Sequence, residues 1–433
     1  MPARPRSPGR SQAAPWPAPV AAGAIHGVVH LPGSKSLTAR ALVLAALADG
    51  PSVLHAPLRA RDTLLMAAGL QVLGASVGDG PDGSWRVEPA PLAERPSTID
   101  CGLAGTVARF LPPLAALGTA PVRFVGDPRM SQRPLRPLLA ALRALGAGAD
   151  ADAIPVEIRG PLLGGAVDLD ASTSSQLVSG LLLAAPLMPG GLTIRHHGPP
   201  VPSTPHIAMT VAMLREAGVG VDDASPDRWQ VSAGPVRAVD RRIEPDLSSA
   251  SAFLAVAAAT AGTVTIADWP AVTQQPGAAL PGLLERMGCR IRLDTDGMHV
   301  TGPGRLLGVT ADLRDAPELA LTLAALGTLA CSPSRLTGIA HLRLQESDRL
   351  GVLASELGRL GARIEVLPDG FAIEPAPLSA GAGVELDPHA DHRLAMAYAV
   401  VGLAVPGVRV QDIATTDKTV PGFAGLWEQL VRG

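Results

Sequence analysis

Residues 98–125 read TIDCGLAGTVARFLPPLAALGTAPVRFV. Thr98–Cys101 is a short extended segment, Gly105–Leu117 is an Ala- and Leu-rich stretch with almost no polar face, and Val122–Val125 is a second extended segment. A helix that is apolar nearly all round is a buried one, and strand–helix–strand order points to an α/β architecture. The same piece recurs at Ser36–Ala48, Ser175–Leu187, Ser249–Thr260, Glu318–Leu329 and His392–Val405, with starts 69–74 residues apart. Between these lie amphipathic helices that run into a short strand: Leu64–Val77, Leu135–Ala149, Ile207–Val221, Leu280–Ile291 and Leu350–Ile364. Each carries a stop glycine (Gly74, Gly146, Gly218, Gly288, Gly361) at the place where a helix end favours a left-handed residue. Phe423–Val431 is a sixth such helix, ending at the C-terminus.

A sixfold repeat of about 70 residues follows. Six units around one core exceed ordinary domain size, so two lobes of three units are expected. The chain crosses between lobes near Leu31–Gly33 and Glu244–Leu247. This assigns residues 21–33 plus 246–433 to one lobe and 34–245 to the other. The N-terminal strand Ile25–Leu31 closes the last unit in the simplest arrangement. Residues 1–20 are rich in Pro, Arg, Ser and Ala and read as a disordered tail.

Composition narrows the function. Of 433 residues, 47% are apolar and 17% charged, and the net charge is −3. That fits a folded core and argues against nucleic-acid binding. No segment supplies the roughly 18 consecutive apolar residues of a membrane span. Cys101, Cys289 and Cys331 are too few and too scattered for a disulfide framework or a zinc site, which suits a reducing compartment. Lys35 and Lys418 are the only lysines. In a chain that otherwise uses arginine, they mark places where a compact ammonium able to lose its proton is needed.

If the apolar helices point their N-termini into the cleft, that cleft gains unpaired N–H groups and positive dipole ends. The residues at those starts are Pro32-Gly33-Ser34-Lys35-Ser36 with Arg40; Gly102-Leu103-Ala104-Gly105-Thr106 with Arg109; Ser172-Thr173-Ser174-Ser175-Gln176; Asp246-Leu247-Ser248-Ser249; Asp315-Ala316-Pro317-Glu318; and Asp391-His392-Arg393. Capping explains the Ser and Asp residues. It does not explain Lys35, Arg40 or Arg393, since cations in a first turn oppose the dipole unless an anion binds there. The amphipathic helices add Gly126-Asp127-Pro128-Arg129-Met130, Pro202-Ser203-Thr204-Pro205-His206, His341-Leu342-Arg343-Leu344-Gln345-Glu346-Ser347-Asp348-Arg349 and Thr416-Asp417-Lys418-Thr419. Together they predict a pocket for phosphate and carboxylate groups. Gly33-Ser34-Lys35-Ser36 lacks the spacing of a nucleotide phosphate loop, and His196-His197 lacks partners at metal spacing.

In this order and at this spacing, the fragments resemble the enolpyruvyl transferase family, in particular the branch acting on shikimate 3-phosphate. The resemblance runs over nearly the whole chain after about residue 20. It implies the family's inside-out α/β fold of two lobes, each of three βαβαββ-type units. It implies transfer of the enolpyruvyl group of phosphoenolpyruvate to the 5-hydroxyl of shikimate 3-phosphate, with release of phosphate, as the sixth step of the pathway to chorismate and aromatic compounds. It implies no metal or organic cofactor, a cytoplasmic enzyme, read here as a monomer, and a glyphosate-sensitive pocket around Gly105. By the resemblance, phosphoenolpyruvate meets Lys35, Gly105, Arg129, Gln176, Arg349, Arg393 and Lys418. Shikimate 3-phosphate meets Lys35, Ser36, Arg40, Ser174, Ser175, Gln176, Ser203, Glu318, His341 and Gln345.

The reaction needs one base, one acid and several cations. Glu318 is expected to take the hydroxyl proton, Glu346 or Lys35 to serve the methylene, and Lys418 and His392 to assist phosphate departure. Several positions depart from the family's common residues: Leu103 for Asn, Phe110 for Pro, His206 for Tyr, Glu318 for Asp, His341 for Asn and Gln345 for Lys. The Glu and His changes keep a proton acceptor or hydrogen-bonding group, whereas Gln345 removes a positive charge. Three alternatives remain open at this point, one of them a dedicated tailoring pathway with a modified acceptor. The related transferase acting on UDP-N-acetylglucosamine usually has Lys-Asn where Lys35-Ser36 stands, and its cysteine loop has no counterpart here. A ligand-binding sensor without catalysis fits the loss of charge at Gln345, but not the presence of Lys35, Glu318, Glu346, Arg349, Arg393 and Lys418.

Overall fold

A computed structural model describes residues 14–433. Its α-helices are, in chain order, α1 (Lys35–Ala46), α2 (Arg61–Val72), α3 (Gly105–Ala115), α4 (Arg136–Ala144), α5 (Ser175–Ala184), α6 (Pro205–Glu216), α7 (Leu247–Thr260), α8 (Leu280–Arg286), α9 (Ala320–Leu329), α10 (Arg349–Gly358), α11 (His392–Gly402) and α12 (Phe423–Arg432). The odd-numbered helices are the apolar ones and the even-numbered the amphipathic ones, as the repeat requires. Every residue of α3 is buried, and so is each from Leu247 to Ala258 in α7. The five stop glycines all take positive φ, from 81° to 119°.

In the second, third and fifth units, the strand before the apolar helix runs parallel to the strand after it, and two antiparallel strands follow. Ser97–Asp100 pairs parallel with Val122–Val125, which pairs antiparallel with Val156–Arg159. The same pattern joins Gly165–Leu169 to Leu192–His196 and Thr310–Asp312 to Ser334–Thr337. Helices pack very closely between units. Pro113 has no N–H to offer the Arg109 carbonyl, which is left facing α5. A Cβ at Gly180 would stand 2.2 Å from it, so only glycine fits there.

Buried apolar side chains form two clusters. One gathers residues from Ala39 to Ile243 and contains α1 to α6. The other joins Trp16–Val29 to residues from Leu247 to Leu430 and contains α7 to α12. Phe253 of α7 packs against Phe423 and Trp427 of α12, with ring centroids 5.5 and 5.8 Å away.

Two expectations need correction. The N-terminal strand does not close the last unit. His26–Val29 pairs parallel with Thr263–Ile266 in the fourth unit's sheet. Reciprocally, Arg241–Arg242, which precedes the fourth apolar helix in the chain, pairs parallel with Leu54–His55 in the first unit's sheet. The reason lies at the crossings. Gly33 bridges Pro245, Ser34 N–H donates to the Glu244 carbonyl at 2.7 Å and Asp246 N–H to the Pro32 carbonyl at 3.0 Å. The two segments pass side by side in opposite directions, so each leaves its strand in the cluster it departs. A Cβ at Gly33 would lie 2.3 Å from the Ala56 carbonyl.

The second correction concerns the tail. Residues 1–13 of the expected tail lie outside the described residues. Trp16–Pro17, however, forms a strand against Arg409–Val410. Trp16 is buried and its Nε1 donates to Glu428 Oε1 at 2.8 Å. Among the described residues, the last unit's sheet otherwise has only Val384–Leu386 and Val408–Val410, and this short strand covers its open edge.

Candidate active site

The six apolar helices begin at one cavity that opens to solvent. It is lined by Lys35 and Ser36 of α1, Gly105 and Thr106 of α3, Ser174–Gln176 of α5, Asp246 and Ser248 of α7, Glu318 ahead of α9, and His392 and Arg393 of α11. Ser174 caps α5, accepting from Gln176 N–H at 3.3 Å, and Asp391 caps α11, accepting from Arg393 N–H at 3.0 Å. The amphipathic helices contribute Asp62, Arg133, Ser203, His206, His341, Gln345, Glu346 and Arg349. The walls thus come from both apolar clusters, and the helix N-termini favour negative charge in the space between.

One side of this cavity is a linked set of charges. Arg349 donates from Nε to Asp391 Oδ2 at 2.7 Å and from a terminal nitrogen to Glu346 Oε2 at 2.9 Å. Lys418 Nζ donates to Glu346 Oε1 at 2.5 Å and lies 3.6 Å from Asp62 Oδ2. Lys35 Nζ stands 3.8 Å from the same Asp62 oxygen. Arg393 donates to the Glu318 carbonyl at 3.2 Å, and His206 Nε2 lies 2.8 Å from Glu318 Oε1.

Burial and neighbours set the protonation states. Burial, then Lys418, brings Lys35 down to about 8, against the opposing pull of Asp62 and Glu346. Burial alone would push the carboxyls up. Lys418, Lys35 and Arg61 nevertheless hold Asp62 below its usual range, and Lys418 and Arg349 hold Glu346 well below it. Glu318 likewise falls to about 2, because His206 and Arg393 outweigh its burial. Burial, then Lys418 and Lys35, takes His392 well below the usual imidazole range. It is therefore neutral, and neither ring nitrogen has a hydrogen-bond partner among the described residues.

Three expected residues stand apart from the cavity wall. Arg129 is exposed at the rim, where it donates to the His389 carbonyl of the other cluster at 3.4 Å. Lys418 sits behind Glu346, buried. Arg40 is 1% exposed, and its guanidinium donates to Thr210 Oγ1, Ser179 Oγ and the carbonyls of Ser36 and His206. Sequence reasoning also missed residues. Asp62, buried between the two lysines, and Arg133, beside Gly105, went unassigned. Arg61-Asp62 opens α2 as an ordinary first-turn acid does, and the place of Asp62 between the two lysines shows only in the fold. A Cβ at Gly105 would lie 2.8 Å from Arg109 and 2.9 Å from Arg133, so glycine is what lets both guanidinium groups close in.

Converging helix N-termini, clustered cations and two lysines among carboxylates define an enzyme that gathers anionic substrates and moves protons between them. The family model for EPSP synthase (3-phosphoshikimate 1-carboxyvinyltransferase) matches residues 20–427, and the chain belongs to that family. Two solved structures of EPSP synthase from Acinetobacter baumannii share the fold, each with a TM-score of 0.77. One is 25% identical over 94% of this chain and 96% of that one, the other 24% identical over 96% and 97%. The activity is that of a 3-phosphoshikimate 1-carboxyvinyltransferase: the enolpyruvyl group of phosphoenolpyruvate passes to the 5-hydroxyl of shikimate 3-phosphate and phosphate is released, in the shikimate pathway to aromatic compounds. No helix of the described residues is long and apolar enough to cross a membrane.

Proposed function

We propose that the two sides of the cavity divide this reaction between them. Shikimate 3-phosphate lies against the hydroxyl and amide side chains of Ser36, Ser174, Ser175, Gln176, Ser203, His341 and Gln345, with Glu318 at its 5-hydroxyl. Phosphoenolpyruvate lies against Lys35, Gly105, Gln176, Arg349 and Arg393, with Lys418 behind and Arg129 closing from the rim. Arg40 stands one layer back and contributes by fixing the Ser36 and His206 carbonyls.

In the addition step, the 5-hydroxyl gives its proton to Glu318 as its oxygen bonds to C2 of the enol. The C2–C3 double-bond electrons take a proton from Lys35 to make the methyl group. In the elimination step, the methyl returns a proton to Lys35 as the bond from C2 to the phosphate oxygen breaks. The phosphate leaves with that electron pair and takes up the proton held by Glu318. Between the two candidates for the methylene, Lys35 fits better than Glu346. An ammonium at about 8 is mostly protonated at neutral pH and close to releasing its proton. A carboxylate held well below its usual range carries no proton to give. Glu346 instead holds Lys418 and Arg349 in place. Neutral His392 serves as a hydrogen-bonding group to the phosphate rather than as a cation.

The observation that carries this reading is the convergence of six helix starts on one cavity, with Lys35 and Glu318 both in its wall. The test is phosphate release from phosphoenolpyruvate and shikimate 3-phosphate. Glu318→Gln is expected to lose roughly 10²–10⁴-fold in turnover, and near-normal turnover would remove Glu318 as the base.

The two apolar clusters support a division into lobes of three units, 21–33 plus 246–433 and 34–245, closing about the paired crossings at Gly33 and Pro245. A monomer and a cytoplasmic location go with this reading, the latter supported by three unpaired cysteines.

A further inference from the structure

The start of α6 and the turn before α9 belong to different apolar clusters and meet at three points. Ser203 N–H donates to the Arg314 carbonyl at 2.9 Å, Thr204 Oγ1 to Asp315 Oδ1 at 2.8 Å, and His206 Nε2 lies 2.8 Å from Glu318 Oε1. Ser203 holds a left-handed φ of 57°, which turns the chain so that the hydroxyl of Thr204 and the ring of His206 both reach across. The second oxygen of Glu318, Oε2, is buried and has no hydrogen-bond partner among the described residues. A carboxylate turns easily about its last torsion, which has broad and nearly two-fold wells. Gripping one oxygen fixes the direction of the other. The remaining charges around the pair are Arg40, which donates to the His206 carbonyl, Arg393, which donates to the Glu318 carbonyl, and His341, Arg349 and Asp315 nearby.

We propose that His206 is a positioning residue for the acceptor hydroxyl: from the opposite cluster it grips Oε1 of Glu318 and leaves Oε2 as the one oxygen that accepts the proton. The base is then assembled only while the two clusters are held together, which ties proton abstraction to closure. This inference rests on the reading of Glu318 as the base.

The experiment uses the full chain with His206→Ala and His206→Gln, each with and without Glu318→Gln, and follows phosphate release. His206→Ala is expected to lower kcat by about 10–100-fold, to leave KM for shikimate 3-phosphate nearly unchanged, and to add nothing to Glu318→Gln. His206→Gln, whose amide donates to Oε1, should regain most of kcat. Losses that multiply in the double variant overturn the proposal. So does an unchanged kcat in His206→Ala while Glu318→Gln is impaired. Should His206→Ala fail to fold, the Gln variant decides, and a loss from His206→Gln that multiplies with that of Glu318→Gln overturns the proposal. Normal turnover of Glu318→Gln alone would instead remove the base assignment on which it stands.

Discussion

The start of α5 and the starts of α10 and α11 face the same cavity but are built from different chemistry. At α5 the chain presents Ser174, Ser175 and Gln176, neutral groups held mainly by local capping. At α10 and α11 it presents Glu346, Arg349, Asp391 and Arg393, and Arg349 alone spans two carboxylates. Neutral hydroxyls exchange water for a sugar-like acceptor at little cost. Buried charges hold one another, so removing one strands its partners. Recognition of the acceptor and handling of charge are thus separated within one pocket, and each side should fail in its own way.

The largest effect is expected where a lysine's proton is needed. Lys35→Arg keeps the positive charge but not the ability to release a proton, and turnover should fall roughly 10²–10⁴-fold. In the parent enzyme, kcat/KM for phosphoenolpyruvate should decline as pH rises through about 8, as the Lys35 ammonium is lost. Lys418 is the strongest charged neighbour lowering Lys35, so Lys418→Met should shift that limb to higher pH, and a limb that stays in place contradicts the coupling. Arg349→Leu tests the other property of the charged side. It leaves Asp391 and Glu346 buried without their shared partner, and denaturant unfolding should show a loss of about 3–5 kcal/mol. A loss below about 1 kcal/mol would mean that the network is not interlocked. Ser175→Ala, on the neutral side, should be mildest. One lost hydrogen bond raises KM for shikimate 3-phosphate about 2–10-fold with kcat nearly unchanged. A hundredfold loss of kcat there would erase the distinction between the two sides.

Much of the candidate site could be read from residue order. Lys35, Ser36, Gly105, Ser174–Gln176, Glu318, His392 and Arg393 all stand at helix starts that the repeat marks, and all line the cavity. Asp62 was illegible as a functional residue because an Arg-Asp pair opening an amphipathic helix looks like an ordinary first-turn acid. Only its position between Lys35 and Lys418, at 3.8 and 3.6 Å, gives it meaning. Arg40 differs in the opposite sense. It matches a ligand position in the resemblance, yet its guanidinium is committed to Thr210, Ser179 and two carbonyls.

Local rules therefore settle the helices, their buried or amphipathic character, the stop glycines and the chemistry gathered at the helix starts, because periodicity and capping act within a few residues of one another. Tertiary structure alone decided where the crossing strands go. His26–Val29 and Arg241–Arg242 each pair with a strand about 190 residues or more away, and nothing in either segment names its partner. It also decided the protonation of the site. Lys35 lies near 8 and Glu318 near 2 because of burial and of charges brought from distant parts of the chain, and Coulomb interaction depends on distance in space rather than along the sequence.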